Sequence, residues 1–400
     1  MTPSLLLVSV LGTHQMTGLY EDAPAITAKS AIVMDANSGR VLYGKNIHTS
    51  RYPASTTKIL TALLLLENTR DEEMLTAPEN TEDVTGSSLH LKPGEYVSAR
   101  EMLYALLLRS ANDGAYTTAL KIAGSEEKFA ELMNRRASEI GCRNTRFFTS
   151  HGLNHDYHLS TAYDLALIAK EAVKNEKIVE VASTARHSIT RSLNDKDLLL
   201  INNNKLLAKR PEFKGLKTGW TVPAGRCFVG YAEFDSGMPS SFGKERYISV
   251  VLGSQDWQAD TTALVDWAAS KFELSTVRFV ESRDWSVPVI GGREPIALLR
   301  IQSAPFLMSL ADYQTAKVVS PASLMAPVKA GKVIQGTAIE LANGELIPVQ
   351  ASSMSEVKAS WSLRTFIQSP GGLLSVIGLG GMAYWSRLRN RRNARRRIRR

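Results

Sequence analysis

Twenty-two successive residues near the C-terminus, 365–386, carry no charge. A membrane span needs roughly 20 predominantly apolar residues. The centre of the run, GGLLSVIGLGGMAYW, contains five glycines, which suit a membrane helix better than a buried core helix. Trp361, Tyr384 and Trp385 stand near its two ends, where aromatic rings favour the membrane–water interface. Nine arginines and no acid follow over 387–400, and basic residues flanking a span stay on the cytoplasmic side. The expectation is a transmembrane anchor over 361–386, a cytoplasmic arginine-rich tail over 387–400, and a cell-membrane protein whose remaining residues face outward.

The tail also explains the charge. The chain of 400 residues has a formal net charge of +9, all of it matched by those nine arginines. Residues 1–385 are near neutral, which leaves no basic groove and argues against nucleic acid as a partner. At the other end, Ser4–Gly12 is a short apolar run and Ala23–Ala25 offers a small-residue cleavage site. The first basic residue is Lys29, so the usual basic n-region is missing. We expect a signal-like segment over 1–27, with a natural start upstream of Met1. Two cysteines, Cys142 and Cys227, are too few for a disulfide framework or a four-cysteine zinc site. One bridge or two unpaired thiols both fit.

Between these ends the pattern is mixed. Ser30–Asn46 suggests two short strands around an Asn-Ser-Gly turn. A helix containing Lys58 follows, with Pro53 near its first turn. SAREMLYALLLRS begins a second helix with a Ser98/Glu101 capping box. A third is capped by Ser125 and stopped by Gly141. CFVGYAEF and RYISVVLGS are strand-like, and DTTALVDWAAS is helical. This mixture predicts an α+β domain over 28–272 with a mainly antiparallel sheet flanked by helices. From 273 to 360, short apolar segments alternate with Gly- and Pro-bearing turns, as in a small all-β domain.

One stretch carries chemistry. In RYPASTTKILTALLLLEN, Ser55 precedes Lys58 by one helical turn, and a nearly unbroken apolar run, Ile59–Leu66, follows. Ser-x-x-Lys is weak by itself. It recurs at Ser125/Lys128, Ser241/Lys244 and Ser355/Lys358, in a cap, a polar loop and a linker. Only Ser55 opens a strongly apolar helix, whose free N–H groups lie beside the hydroxyl. A lysine with an ordinary pKa near 10.4 is almost wholly charged at pH 7. To act as a base it needs dry surroundings or a nearby cation. A shift of about three pH units corresponds to about 4 kcal/mol. RSANDG, with Ser110 and Asn112, and GLKTGWT, with Lys217, Thr218 and Gly219, supply a hydroxyl and a second cation.

In this order and spacing, Ser55-x-x-Lys58, Ser110-x-Asn112 and Lys217-Thr218-Gly219 resemble the three motifs of the penicillin-recognising serine enzymes. The surrounding AKSAIVMDANSGRVLYGKN, LLLRSANDGA and GLKTGWTVPAGRCFVG resemble the D-alanyl-D-alanine carboxypeptidases, the low-molecular-mass penicillin-binding proteins. The likeness extends over roughly residues 28–362 and includes a C-terminal β domain. It implies a penicillin-binding/β-lactamase-like fold and removal of the terminal D-alanine from peptidoglycan stem pentapeptides through an acyl-serine. It also implies β-lactam antibiotics as covalent inhibitors, and no cofactor. By the same resemblance Ser55 is the nucleophile, Lys58 its base and Ser110 a proton relay. Asn112 orients the substrate amide. Lys217, Thr218, Thr221 and Arg246 hold the terminal carboxylate, and the backbone N–H groups of Ser55 and Trp220, beside Gly219, form the oxyanion hole.

Trp220, Tyr163 and Asn154 depart from common family residues, which bears on substrate fit more than on reaction type. Two other readings are a membrane-anchored β-lactamase-like hydrolase and a catalytically silent wall-binding protein. No Glu-x-x-Leu-Asn segment supports the first, and intact Ser55 and Lys58 oppose the second. His151, His155 and His158 have metal-like spacing, but Gly152 and Asn154 oppose the helix that would align them, so no metal site is expected. Asp113 is expected to cap a helix.

Overall fold

The computed structural model describes residues 22–193, 198–236, 243–275, 286–302, 306–341 and 343–360. The chain divides into two compact units, one running to Ser275 and including 305–309, the other made of 276–304 and 310 onward.

The first unit is built on strands β1 (Ser30–Asp35) and β2 (Val41–Lys45), then α1 (Lys58–Asn68), β3 (Met74–Thr76), β4 (Tyr96–Ser98), α2 (Ala99–Tyr104), α3 (Asn112–Ala123), α4 (Glu126–Ile140), α5 (Ala162–Ala172) and α6 (Glu176–Ser183). Next come β5 (Arg186–Ser188), β6 (Leu199–Ile201), β7 (Phe213–Thr221), β8 (Gly225–Asp235), β9 (Lys244–Ser254), α7 (Trp257–Lys271) and β10 (Phe272–Ser275). The central sheet is antiparallel in the order β2-β1-β9-β8-β7. Its side chains alternate between two cores, as the pleat requires. From β1, Ile32 and Met34 join a cluster with α1 to α6, whereas Ala31 and Val33 join Leu264, Val265 and Ala268 of α7. The sheet is therefore covered on both faces.

α1 lies in the larger core. Every residue from Lys58 to Leu65 is buried, which suits a helix apolar on nearly all sides. Each leucine so buried stabilises the fold by roughly 1.5–3 kcal/mol. The capping reading of Ser98 holds, its side chain accepting from Glu101 N at 3.3 Å. That helix is not uniform: after α2 the backbone widens into a π-helical turn, Ala105–Arg109, and ends at Ser110 in the left-handed region at φ 64°. Such a residue stores of order 1–3 kcal/mol and persists where its surroundings fix it. Asp113 is no cap, because it sits inside α3, whose N-cap is Ala111. Its carboxylate instead gathers Leu89 N, Leu91 N and the Ser88 hydroxyl at 2.7–3.1 Å, fastening residues 88–91 to the domain.

The second unit contains β11 (Ser286–Ile290) and β12 (Ile296–Gln302), followed after the β13 strand (Phe306–Ser309) of the first unit by a short helix, Leu310–Thr315. β14 (Lys317–Val319), β15 (Leu324–Met325), β16 (Val333–Ile334), β17 (Ala338–Glu340), β18 (Leu346–Pro348) and β19 (Gln350–Ser353) complete it. They form sheets ordered β15-β11-β12-β19-β16 and β14-β17-β18. Among the described residues no helix is long and apolar enough to cross a membrane. The expected anchor and tail, 361–400, and most of the signal-like segment lie outside those residues.

Candidate active site

Pro53 leads into a 3-10 turn, Ala54–Thr57, that passes directly into α1. The turn is held from within by Thr56 Oγ1 donating to Pro53 O at 2.7 Å and Thr57 Oγ1 donating to Ala54 O at 2.8 Å. It leaves Ser55 partly exposed and turns Lys58 inward to zero exposure. Lys58 Nζ lies 2.6 Å from Asn112 Oδ1, 2.7 Å from His151 O and 3.2 Å from Ser55 Oγ. The first two partners are carbonyl oxygens, which can only accept. A neutral amine has two N–H bonds and one lone pair. With both N–H bonds given to the carbonyls, the lone pair is left for the Ser55 hydroxyl.

Burial is the largest cause holding the Lys58 pKa well below the ordinary lysine value, and the neighbouring Lys217 charge adds to it. Asp113 and Glu126 pull the other way. Lys217, 1% exposed, donates to Thr218 O at 2.9 Å and is lowered by burial to about 7. The two amines divide the work. Once Lys58 is neutral, Lys217 no longer faces a second cation and keeps a proton into the neutral range. The arrangement can thus offer a base and an anion-binding charge together.

Lys217, Thr218, Gly219, Trp220 and Thr221 all lie in β7, an edge strand that runs against the Ser55 turn. A Cβ placed on Gly219 would meet Ser55 N at 3.0 Å, so only glycine lets strand and turn approach this closely. This puts the Ser55 N–H beside the strand that supplies the Trp220 N–H. The Trp220 side chain is 64% exposed at the rim, and Thr221 Oγ1 closes the β7–β8 turn by accepting from Ala224 N at 3.3 Å. Ser110 is buried, but the Lys58 amine bonds Asn112, His151 and Ser55 rather than the Ser110 hydroxyl. Asn112 is fixed at its other end, Nδ2 donating to Thr85 O at 2.7 Å.

Arg246 is the site residue that the fold removes. Lys217 pairs with Val229, and Val229 with Val250. Arg246 stands four residues farther along β9, about 13 Å away at 3.3 Å per residue, and its Nε lies 3.4 Å from Glu233 Oε1. The motif position in RYISVVLG marked the correct strand but its wrong end. Arg226, absent from the sequence reading, is better placed. It pairs across the sheet with Trp220, sharing a face with Trp220 and Thr218, as cross-strand partners do. Its guanidinium is exposed and donates to Gln255 O. Among the described residues no carboxylate lies within ion-pair distance of it. Diagonal neighbours across a sheet are roughly 7–8 Å apart, within reach of an arginine. The signal was present in the sequence as a cation five residues beyond Thr221, visible only once the hairpin register is known.

The histidines serve the frame. Residues 151–158 are not helical. His158 Nε2 lies 2.9 Å from Thr57 Oγ1 and its Nδ1 accepts from Phe148 N at 3.0 Å. Burial holds His151 and His158 neutral, lowered to about 3. No cluster of potential metal ligands occurs among the described residues. Cys142 and Cys227 are both free thiols.

The sequence pattern of the D-alanyl-D-alanine carboxypeptidases matches residues 17–256, more than half of the chain. D-alanyl-D-alanine carboxypeptidase DacF of Bacillus subtilis is 36% identical over 254 residues, 62% of this chain and 63% of that protein, so the match falls short of two thirds of its length. D-alanyl-D-alanine carboxypeptidase DacA of Escherichia coli is 30% identical over 332 residues, 78% of this chain and 79% of that one. Penicillin binding protein 5 of Haemophilus influenzae superposes with a TM-score of 0.68 at 24% identity, covering 84% of this chain and 98% of the other, a likeness of fold. With Ser55, Lys58, Asn112 and Lys217 gathered at one β-strand edge and the family pattern running through all of them, the chain belongs to the D-alanyl-D-alanine carboxypeptidase family of penicillin-binding proteins.

Proposed function

We infer that the chain is a serine-type D-Ala-D-Ala carboxypeptidase that trims peptidoglycan stem pentapeptides. The observation that carries this is the buried Lys58 amine, 3.2 Å from Ser55 Oγ and held by two carbonyl acceptors. Ser55 Oγ attacks the carbonyl carbon of the penultimate D-alanine as its proton moves to Lys58 Nζ. The developing oxyanion is received by the Ser55 and Trp220 N–H groups. Asn112 aligns the substrate amide. The C–N bond breaks as a proton returns, by way of Ser110, to the departing D-alanine nitrogen. Water then attacks the acyl-serine carbonyl, its proton passes to Lys58, and Ser55 Oγ leaves reprotonated. Lys217, Thr218 and Thr221 receive the terminal carboxylate, with Arg226 in the place expected of Arg246.

A β-lactam enters by the same attack. Its amide opens onto Ser55, and the amine stays tethered, which leaves a long-lived acyl-enzyme. Labelled penicillin therefore attaches to Ser55 and not to the Ser55→Ala protein, while a D-Ala-D-Ala pentapeptide loses one D-alanine. Equal labelling of both proteins contradicts the nucleophile. The uncharged run and the arginines after it support a cell-membrane location with the catalytic unit on the outer face and the tail in the cytoplasm. An exported form lacking 361–400 is then released from membranes, and its retention contradicts the anchor.

A further inference from the structure

Glu126 is a mostly buried carboxylate in the first turn of α4, and the chemistry above gives it no part. Its Oε1 accepts from Ser150 N at 2.5 Å and from Ser150 Oγ at 2.9 Å, and Oε2 lies 3.1 Å from the same hydroxyl. The segment it grips touches α1 twice. Ser150 O accepts from Thr61 Oγ1 at 2.6 Å, and His151 O accepts from Lys58 Nζ at 2.7 Å. One residue on, a Cβ added to Gly152 would come 2.0 Å from Ala54 O, so the segment also lies flush against the Ser55 turn. His151 Nδ1 accepts from Leu153 N at 3.1 Å. This leaves the neutral ring's proton on Nε2, which faces Glu126 Oε1 at 3.8 Å.

The geometry points to Glu126 as a positioning residue for acylation: acting through Ser150, it fixes the His151 carbonyl that receives one Lys58 N–H and so keeps the amine's lone pair on Ser55. This rests on the acyl-serine reading. The charges facing Lys58 are few. Lys217 comes from β7, Asp113 from α3 and Glu126 from α4, while His151 and His158 are neutral. Glu126 thus has a second effect, because its negative charge favours the protonated amine. Removing the charge and removing the grip have different signatures.

The test uses the full chain and the rate of Ser55 acylation by a fluorescent penicillin across pH 5–9, with melting temperature as a control. In Glu126→Gln the acid limb of the rate moves down by roughly one pH unit, because a negative charge near Lys58 is gone. The plateau falls about tenfold, since sub-ångström misplacement of a reacting group is costly. Ser150→Ala keeps the carboxylate and loses the hydroxyl grip, which lets the Glu126 pKa, already raised by burial, rise further. Its plateau falls and its acid limb moves less than in Glu126→Gln. Wild-type limb and plateau in folded Glu126→Gln and Ser150→Ala overturn the proposal, as does a rate loss in Glu126→Gln that only tracks melting temperature while its acid limb stays at the wild-type pH. If Glu126→Gln fails to fold, Ser150→Ala and Glu126→Asp decide by the same plateau. Absence of labelling in the wild-type protein is a separate outcome, which sinks the acyl-serine reading itself.

Discussion

Replacing Gly219 by alanine tests how closely the turn and the edge strand must meet. The new Cβ would lie 3.0 Å from Ser55 N, 3.2 Å from Ala54 Cβ and 3.2 Å from Pro53 O. Two of these neighbours are backbone atoms, so no flexible side chain can swing aside. Relief to an ordinary contact opens the gap by about 0.4 Å or more, an estimate from close-packed interiors that tolerate little overlap. The two groups pushed apart are those that carry the Ser55 and Trp220 N–H donors. Oxyanion donors work at about 2.7–3.1 Å, and losing one outright costs about a hundred- to a thousandfold in rate. A partial opening predicts a kcat lower by about ten- to a hundredfold, or about 1.4–2.8 kcal/mol. KM changes less, because the new Cβ bears on the Ser55 turn and not on the Lys217, Thr218 and Thr221 groups that receive the carboxylate. The assay is D-alanine release from a D-Ala-D-Ala pentapeptide, alongside penicillin acylation and a melting curve. A folded Gly219→Ala protein with kcat within about twofold of wild type refutes the close-approach reasoning.

Other outcomes follow from the same geometry. Arg226→Gln raises KM for a peptide with a free terminal carboxylate, by about tenfold for one exposed charge-assisted bond, and Arg246→Gln leaves it near wild type; the reverse ranking returns the carboxylate role to Arg246. Lys217 is lowered to about 7 by burial and must be protonated to hold a carboxylate. kcat/KM therefore falls as pH rises through that value, about tenfold per pH unit in the limit. The bound carboxylate favours the proton, so the fall in kcat sits at higher pH. A pH profile with no alkaline fall between 7 and 9 contradicts the assignment.

Much of this site was legible in the sequence because its parts are local. Ser55 and Lys58 are three residues apart in an apolar run, and helical periodicity alone sets them on one face. The capping reading of Ser98 and the stop at Gly141 rest on the same short-range rules. What was hidden depends on register and long-range packing. Arg246 and Arg226 are both cations on strands of the central sheet, and only the pairing Trp220↔Arg226 tells which lies at the catalytic end. Asp113 looked like a cap, yet the donors it serves come from more than twenty residues upstream. His151 drew attention for its ring, whereas the atom that touches Lys58 is its carbonyl oxygen. No spacing rule finds a backbone acceptor, and none finds the Glu126 carboxylate behind it.

The charge on Lys58 is the point on which the mechanism turns, and nitrogen NMR of the full chain with labelled lysine side chains reads it directly, with Lys58→Arg to assign the signal. The expected result is a Lys58 amine that is neutral at pH 7 while Lys217 titrates near that pH. A Lys58 signal that stays in the ammonium form up to about pH 10, as for a solvated lysine, would contradict it.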